Sequence, residues 1–467
     1  MTIMPEKFRE KSALTREKAK SVSTTNACKL CKPLGACLAF RGIEKTVPYL
    51  HGSQGCATYM RRYIISHFNE PIDIASSSLG EKHAIYGGSA NLKQGLNNVI
   101  SKYNPEIVGI ATTCLTETIG DDVRMILHEY TQEENKRNRQ LPELISVSTP
   151  SYSGTHMEGF HAALHSVVKH LAGNTIKTGR INLLPGFISA ADTRLLKDIF
   201  AEWNIPVTIL PDLSETLDGQ ALVEYQLIPD GGTKISDIRK MGGSRVSVEF
   251  GRTLAGFQTA GTYLADTFGL KNIRLGTPIG IRETDTFFEI LAAECNTAIP
   301  EKEKAARGRL IDSLVDGHKY VFGKKAVVYG EEDLVVGLTS FLAEIGVHPV
   351  LCASGGNSGR LRQAISEVTA GVLDYEPAVH DNTDFFEIAE MAKSLEPDMI
   401  VGHSKGYPLA RSLDIPLIRV GFPIHDRLGG QRLLHLGYEG AQILFDTVAN
   451  AMTCAKQEKS PVGYAYM

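Results

Sequence analysis

No stretch of this chain approaches the ~18–20 consecutive apolar residues that span a bilayer. Its opening segment, MTIMPEKFREKSALTREKAKSVSTTNA, also lacks the apolar core of a secretory signal. Both absences point to a cytoplasmic protein with no membrane partner. Tryptophan occurs once, and aromatic residues make up only 7% of the chain. The net charge is −4, so no basic stripe offers itself to phosphates, and nucleic acid is excluded as a partner. The lysine–serine/threonine ending of a phosphate loop is missing, as are H-E-x-x-H and G-x-S-x-G. Nucleotide hydrolysis, zinc-dependent proteolysis and serine-hydrolase chemistry therefore have no carrier here.

What remains is an ordinary globular composition. With 467 residues, 43% hydrophobic and 22% charged, the chain is long enough for about three domains. Short apolar runs alternate with amphipathic stretches, the signature of βαβ units and parallel sheets. EIVGIATTC (106–114) and LISVSTP (144–150) read as strands, followed by a helix over 159–173. The alternation restarts at RINLLPG (180–186) and again at KKAVVYG (324–330), with HPVLCASGG, DMIVGHS and IPLIRVGFP beyond. The expected fold is therefore α/β, three open parallel-sheet domains in series. Their expected bounds are 1–25 for an N-terminal arm, 26–178, 179–305, and 306–467 with a C-terminal helix. The Gly-rich stretches GGSANLKQG and SGGNSG read as turns where backbones pack closely.

Cysteine is scarce, at eight residues, but three cysteines stand in turns: Cys31 in CKPLGA, Cys56 in HGSQGC and Cys114 in TTCLTETIGDD. Separations of 25 and 58 residues exclude a local zinc knuckle, whose ligands sit a few residues apart. Only a folded domain can bring three such loops together, and thiolates converging from separate loops suit an iron–sulfur cluster at a subunit edge. Gly35 and Gly55 would let backbone amides approach the sulfides. Ser151 follows Pro150 at the same topological edge, where its hydroxyl either caps a turn or adds a fourth or redox-dependent ligand. Cys28 and Cys37 flank Cys31 and remain open as ligands. Cys295, Cys352 and Cys454 read as buried free thiols. His51 orients a loop or donates to a cluster, Glu117, Asp121 and Asp122 read as helix-start acids, and Arg61 and Arg62 as a solvated or ion-paired face.

Taken together, CKPLGA, HGSQGC, HFNEP, GG-x-x-NL, TTCLTETIGDD, TPSYSG, VGFPIHDRLGG and LGYEGA resemble the nitrogenase component 1 family from about Cys31 to Gly440. The resemblance implies three Rossmann-like domains and pairing with an α-type subunit in an α2β2 heterotetramer. It also implies a cluster on the pseudo-twofold between subunits, and transient docking of an ATP-dependent iron protein. The C-terminal segment resembles β-type chains, so the cofactor ligands of α-type chains do not carry over and His425 stays unassigned. Three stretches, LPDLSETLDGQ, the GGT at 231 and FPIHDRLGGQR, resemble the N subunit of the cofactor-assembly scaffold. Against this, Cys31, Cys56, Cys114 and Ser151 match the set by which catalytic β chains hold their half of an eight-iron P-cluster. A four-iron cluster would need one thiolate from this chain. The implied role is assembly of the iron–molybdenum cofactor for nitrogen fixation. The alternative is electron relay in a catalytic nitrogenase or a nitrogenase-like reductase such as methylthio-alkane reductase. No turnover is expected from the chain alone.

Overall fold

The computed structural model describes residues 28–173 and 175–462; the arm expected over residues 1–25 lies outside them. The strands form three separate parallel sheets. The first contains β1 (Thr46–His51), β2 (Ala75–Ser76), β3 (Ile107–Thr112) and β4 (Glu143–Val147), in the order β2-β1-β3-β4. The second contains β5 (Ile181–Leu184), β6 (Val207–Ile209), β7 (Val246–Phe250) and β8 (Asn272–Leu275), ordered β6-β5-β7-β8. The third contains β9 (Lys325–Gly330), β10 (His348–Ser354), β11 (Ala378–His380), β12 (Met399–Gly402) and β13 (Leu417–Arg419), ordered β11-β10-β9-β12-β13. The α/β class read from the alternation is the class observed.

Burial on both faces explains the sequence of these strands. All six residues of β3, IVGIAT, are buried, because helices cover both sides of a parallel sheet. Each aliphatic side chain so buried contributes about 1.5–3 kcal/mol. Pro48 in the middle of β1 lacks a ladder donor, which hid this central strand from the sequence pattern.

One helix crossing sets the geometry of the first domain. The helix Lys32–Arg41 packs on β3 and crosses the helix His156–Leu171 at glycines. A β-carbon at Gly35 would lie 1.6 Å from the His156 carbonyl oxygen, and one at Gly159 1.9 Å from the Lys32 carbonyl oxygen. Gly35 therefore serves helix packing. Gly55 is exposed, and a β-carbon there would meet only Ser53 Oγ, at 3.9 Å. Among the described residues no helix is long and apolar enough to cross a membrane.

Candidate functional site

All three singled-out cysteines stand at helix N-termini, and two of those helices follow the carboxyl end of a strand. Cys31 is the N-cap of Lys32–Arg41, with Pro33 fixing the first turn. Cys56 is the third residue of the helix Gln54–Phe68, which follows β1. Cys114 opens the helix Cys114–Ile119 directly after β3, behind a Thr113–Thr116 capping box. The unpaired N–H groups and positive dipole end of a helix favour a thiolate over a thiol. Gly52 tightens the arrangement, since a β-carbon there would fall 2.3 Å from Thr113 Oγ1.

Cys31 feels the charges of both other sulfurs. Burial pushes the Cys31 thiol above its ordinary value, a hydrogen bond with the Ser151 side chain pulls it down, and the Cys114 and Cys56 charges push it up again. The Ser151 backbone N–H donates to Cys114 Sγ at 3.2 Å, and Ser53 Oγ donates to Cys56 Sγ at 3.4 Å. Cys31 and Cys56 also both pack against the core of the first domain. Sulfurs that would repel one another when ionised are stabilised by a cationic group placed between them. Among the described residues no three His, Cys, Asp or Glu side chains close round a single ion. The donor chemistry, three thiols and a hydroxyl spread along a rim, fits a group wider than one ion.

The remaining cysteines divide clearly. Cys37 is buried in the first domain's core, and burial pushes its thiol well up. Cys28 is buried against the third sheet, its thiol pushed up to about 12 by burial. Neither neighbours the rim in the way Cys56 and Cys114 do. Cys352 is fully buried and bonded to Thr339 Oγ1 at 3.2 Å, as expected of a core thiol. Cys295 is only half-buried and Cys454 is exposed, bonded to Glu458 at 3.6 Å; the amphipathic C-terminal helix turns that face outward. All eight cysteines are free.

His51 is fully buried, between Ser77 Oγ at 3.0 Å and Asp121 Oδ2 at 3.1 Å, so it fixes the loop rather than facing a cluster. Asp121 also accepts the Gly88 N–H, and Asp122 caps the helix Val123–Lys136. Arg61 bonds the Ile72 carbonyl and pairs with Asp73, and Arg62 is exposed. His425 is exposed. Sequence reading missed Lys405, whose charge acts on Cys28 and Cys31 and whose Nζ lies 5.4 Å from the Tyr63 ring centre. The one signal for it was its place in GHSKGYP, just past the carboxyl end of β12.

The family model described as nitrogenase component 1 type oxidoreductase matches residues 31–453. The nitrogenase molybdenum–iron protein beta chain of Clostridium pasteurianum is 34% identical over 91% of this chain and 93% of its own. The nitrogenase vanadium–iron protein beta chain of Trichormus variabilis is 34% identical over 94% of this chain and 96% of its own. A solved chain of nitrogenase Cp1 at pH 6.5 superposes with a TM-score of 0.92 at 32% identity, covering 98% of both. A chain of nitrogenase Cp1 at pH 5, 14% identical with a TM-score of 0.68, shares the fold alone. This chain belongs to the nitrogenase component 1 family, as a subunit of the β-chain type.

Proposed function

We propose that this chain is the electron-relaying β subunit of a nitrogenase component 1-type α2β2 heterotetramer, with an iron–sulfur cluster shared across the α–β boundary. The observation that carries this reading is the placement of Cys31, Cys56 and Cys114 at three helix N-termini, with Cys31 within electrostatic reach of the other two sulfurs. These thiolates would hold the iron, and Ser151 is the adjacent fourth donor. Bound there, the cluster supplies reversible storage and transfer of electrons. The chain's own part is to stabilise negative sulfur. The Ser151 N–H donates to Cys114 Sγ, and the Ser151 side chain and the Lys405 charge offset part of what burial costs an ionised Cys31. Three thiolates from one subunit favour the eight-iron form over a four-iron cluster.

An ATP-dependent iron protein is the proposed electron donor, since this sequence holds no phosphate loop of its own. Ile85 and Tyr86, 81% and 85% exposed, form an apolar pair on the helix His83–Tyr86. That helix packs against the one Cys114 opens, so a protein docked over the pair would stand close to the cluster rim.

Relatives named as molybdenum–iron and vanadium–iron protein beta chains support a catalytic complex for nitrogen fixation. Assembly of the iron–molybdenum cofactor is the second reading, supported by the scaffold-like stretches LPDLSETLDGQ, GGT and FPIHDRLGGQR. Copurifying the native α-type partner and assaying with iron protein, ATP and acetylene separates them. The catalytic reading expects steady ethylene formation by the complex. A complex that cannot reduce acetylene, but activates a cofactor-free nitrogenase by handing over a precursor, supports assembly instead.

A further inference from the structure

At the far end of the helix that Cys31 caps, Arg41 lines a cavity of about 430 Å³. Much of the remaining wall comes from the segment 210–234, which holds no helix or strand. Loops of that length are uncommon inside compact domains and mostly serve a function. Gly42, next to Arg41, pins both ends of this one. Its carbonyl accepts the Asp212 N–H at 3.0 Å and the Thr233 N–H at 2.9 Å.

Two buried donors in this wall lack an acceptor. Arg41 is 6% exposed, and its Nε has no hydrogen-bond partner. Among the described residues no carboxylate pairs with it; Asp73 and Glu70 act on its charge only from a distance. Thr216 is 4% exposed, and its Oγ1 is likewise without a partner. A guanidinium stays charged and can only donate, so burial leaves it in need of a negative acceptor.

The acids of the same wall call for a second, opposite charge. Asp73 is engaged, accepting the Tyr103 hydroxyl at 2.7 Å and pairing with Arg61 at 3.5 Å. Glu70 meets the Gly219 N–H and the Arg432 charge. Asp230 accepts from Gln226 at 3.3 Å, and among the described residues neither Asp230 nor Glu215 forms an ion pair. These carboxylates would repel a plain anion, whereas an ammonium carried beside the ligand's carboxylate turns them into partners. Ala221, Leu222, Leu227 and Pro229 supply an apolar stretch for the rest of the molecule.

From this arrangement we infer that the cavity binds a free α-amino acid with an apolar side chain. Arg41 and Thr216 receive its carboxylate, and Glu215 and Asp230 its ammonium. The site lies apart from the cysteine rim and does not depend on the cluster reading.

Equilibrium dialysis of the anaerobically purified heteromer with labelled leucine tests it. Two analogues serve as probes: isocaproate, which lacks the amine, and isoamylamine, which lacks the carboxylate. The expected result is one saturable leucine site per copy of this chain, with both analogues held about tenfold more weakly. Arg41→Gln should weaken leucine by about tenfold, and Thr216→Val should weaken it severalfold. Glu215→Gln should weaken leucine while leaving isocaproate unchanged. Iron content should stay the same in all three variants. If Arg41→Gln does not fold, Thr216→Val and Glu215→Gln carry the test. No saturable leucine binding, equal binding of leucine and isocaproate, or unchanged leucine binding in the variants would overturn the proposal.

Discussion

Ser151 touches two of the three rim cysteines by different atoms: its backbone N–H donates to Cys114 Sγ at 3.2 Å, while its side chain bonds Cys31. The serine thus ties the loop after β4 to the loops that open two helices. Only the second contact depends on the hydroxyl. Ser151→Ala is expected to keep the iron and the Cys114 contact while shifting the electron paramagnetic resonance signal and midpoint potential. An unaltered potential would show that the hydroxyl is not a neighbour of the cluster.

Gly35 and Gly159 leave no room for a side chain where their helices cross. Because the clashing atoms are backbone carbonyls, a side chain cannot simply rotate away. Gly35→Ala is expected to cost about 3 kcal/mol or more in urea unfolding and to lower iron content by moving Cys31. Wild-type stability with full iron would contradict this.

Burial, followed by the Asp333 charge, pushes the Glu331 carboxyl up from 4.5 to about 8, and burial pushes Glu332 up to about 7. The folded chain therefore holds these protons more tightly than the unfolded one. The linked stability is complete below about pH 4.5 and is lost as pH rises through 7 to 8. Urea midpoints should accordingly fall between pH 6 and pH 8.5, and Glu331→Gln should flatten the decline. Midpoints that climb over this range would refute the assignment.

Cys352 offers a control for the thiol assignments. It is fully buried and bonded only to Thr339 Oγ1. Cys352→Ala should cost about 1–2 kcal/mol of stability with no change in iron. Lost iron would mean that a ligand lies in the third sheet.

Replacing the exposed Tyr86 by Ala should leave iron and stability unchanged and slow electron delivery from the iron protein severalfold, read as reduction rate against iron-protein concentration. An unchanged rate would place the docking surface elsewhere.

The sheets were legible where strands carry uninterrupted apolar runs, as in EIVGIATTC and KKAVVYG. They were hidden where Pro48 interrupts β1, or where a strand is as short as Ala75–Ser76. The three cysteines announced themselves by their glycine-bearing contexts, but the packing role of those glycines did not. Gly35 answers to a helix 121 residues away, and Gly52 to Thr113, contacts that no local pattern encodes. Lys405 reaches the rim from the third sheet for the same reason. Cys454 was misplaced because an amphipathic helix shows its period without showing which residues at the border of the stripe face water.

Iron per αβ pair is the most direct test of the shared cluster. Metal analysis with electron paramagnetic resonance should compare the anaerobically purified native heteromer with Cys31→Ala, Cys56→Ala and Cys114→Ala forms. Each rim variant is expected to lose iron and the cluster signal while remaining folded and paired. Full iron with an unchanged signal in all three would contradict the account.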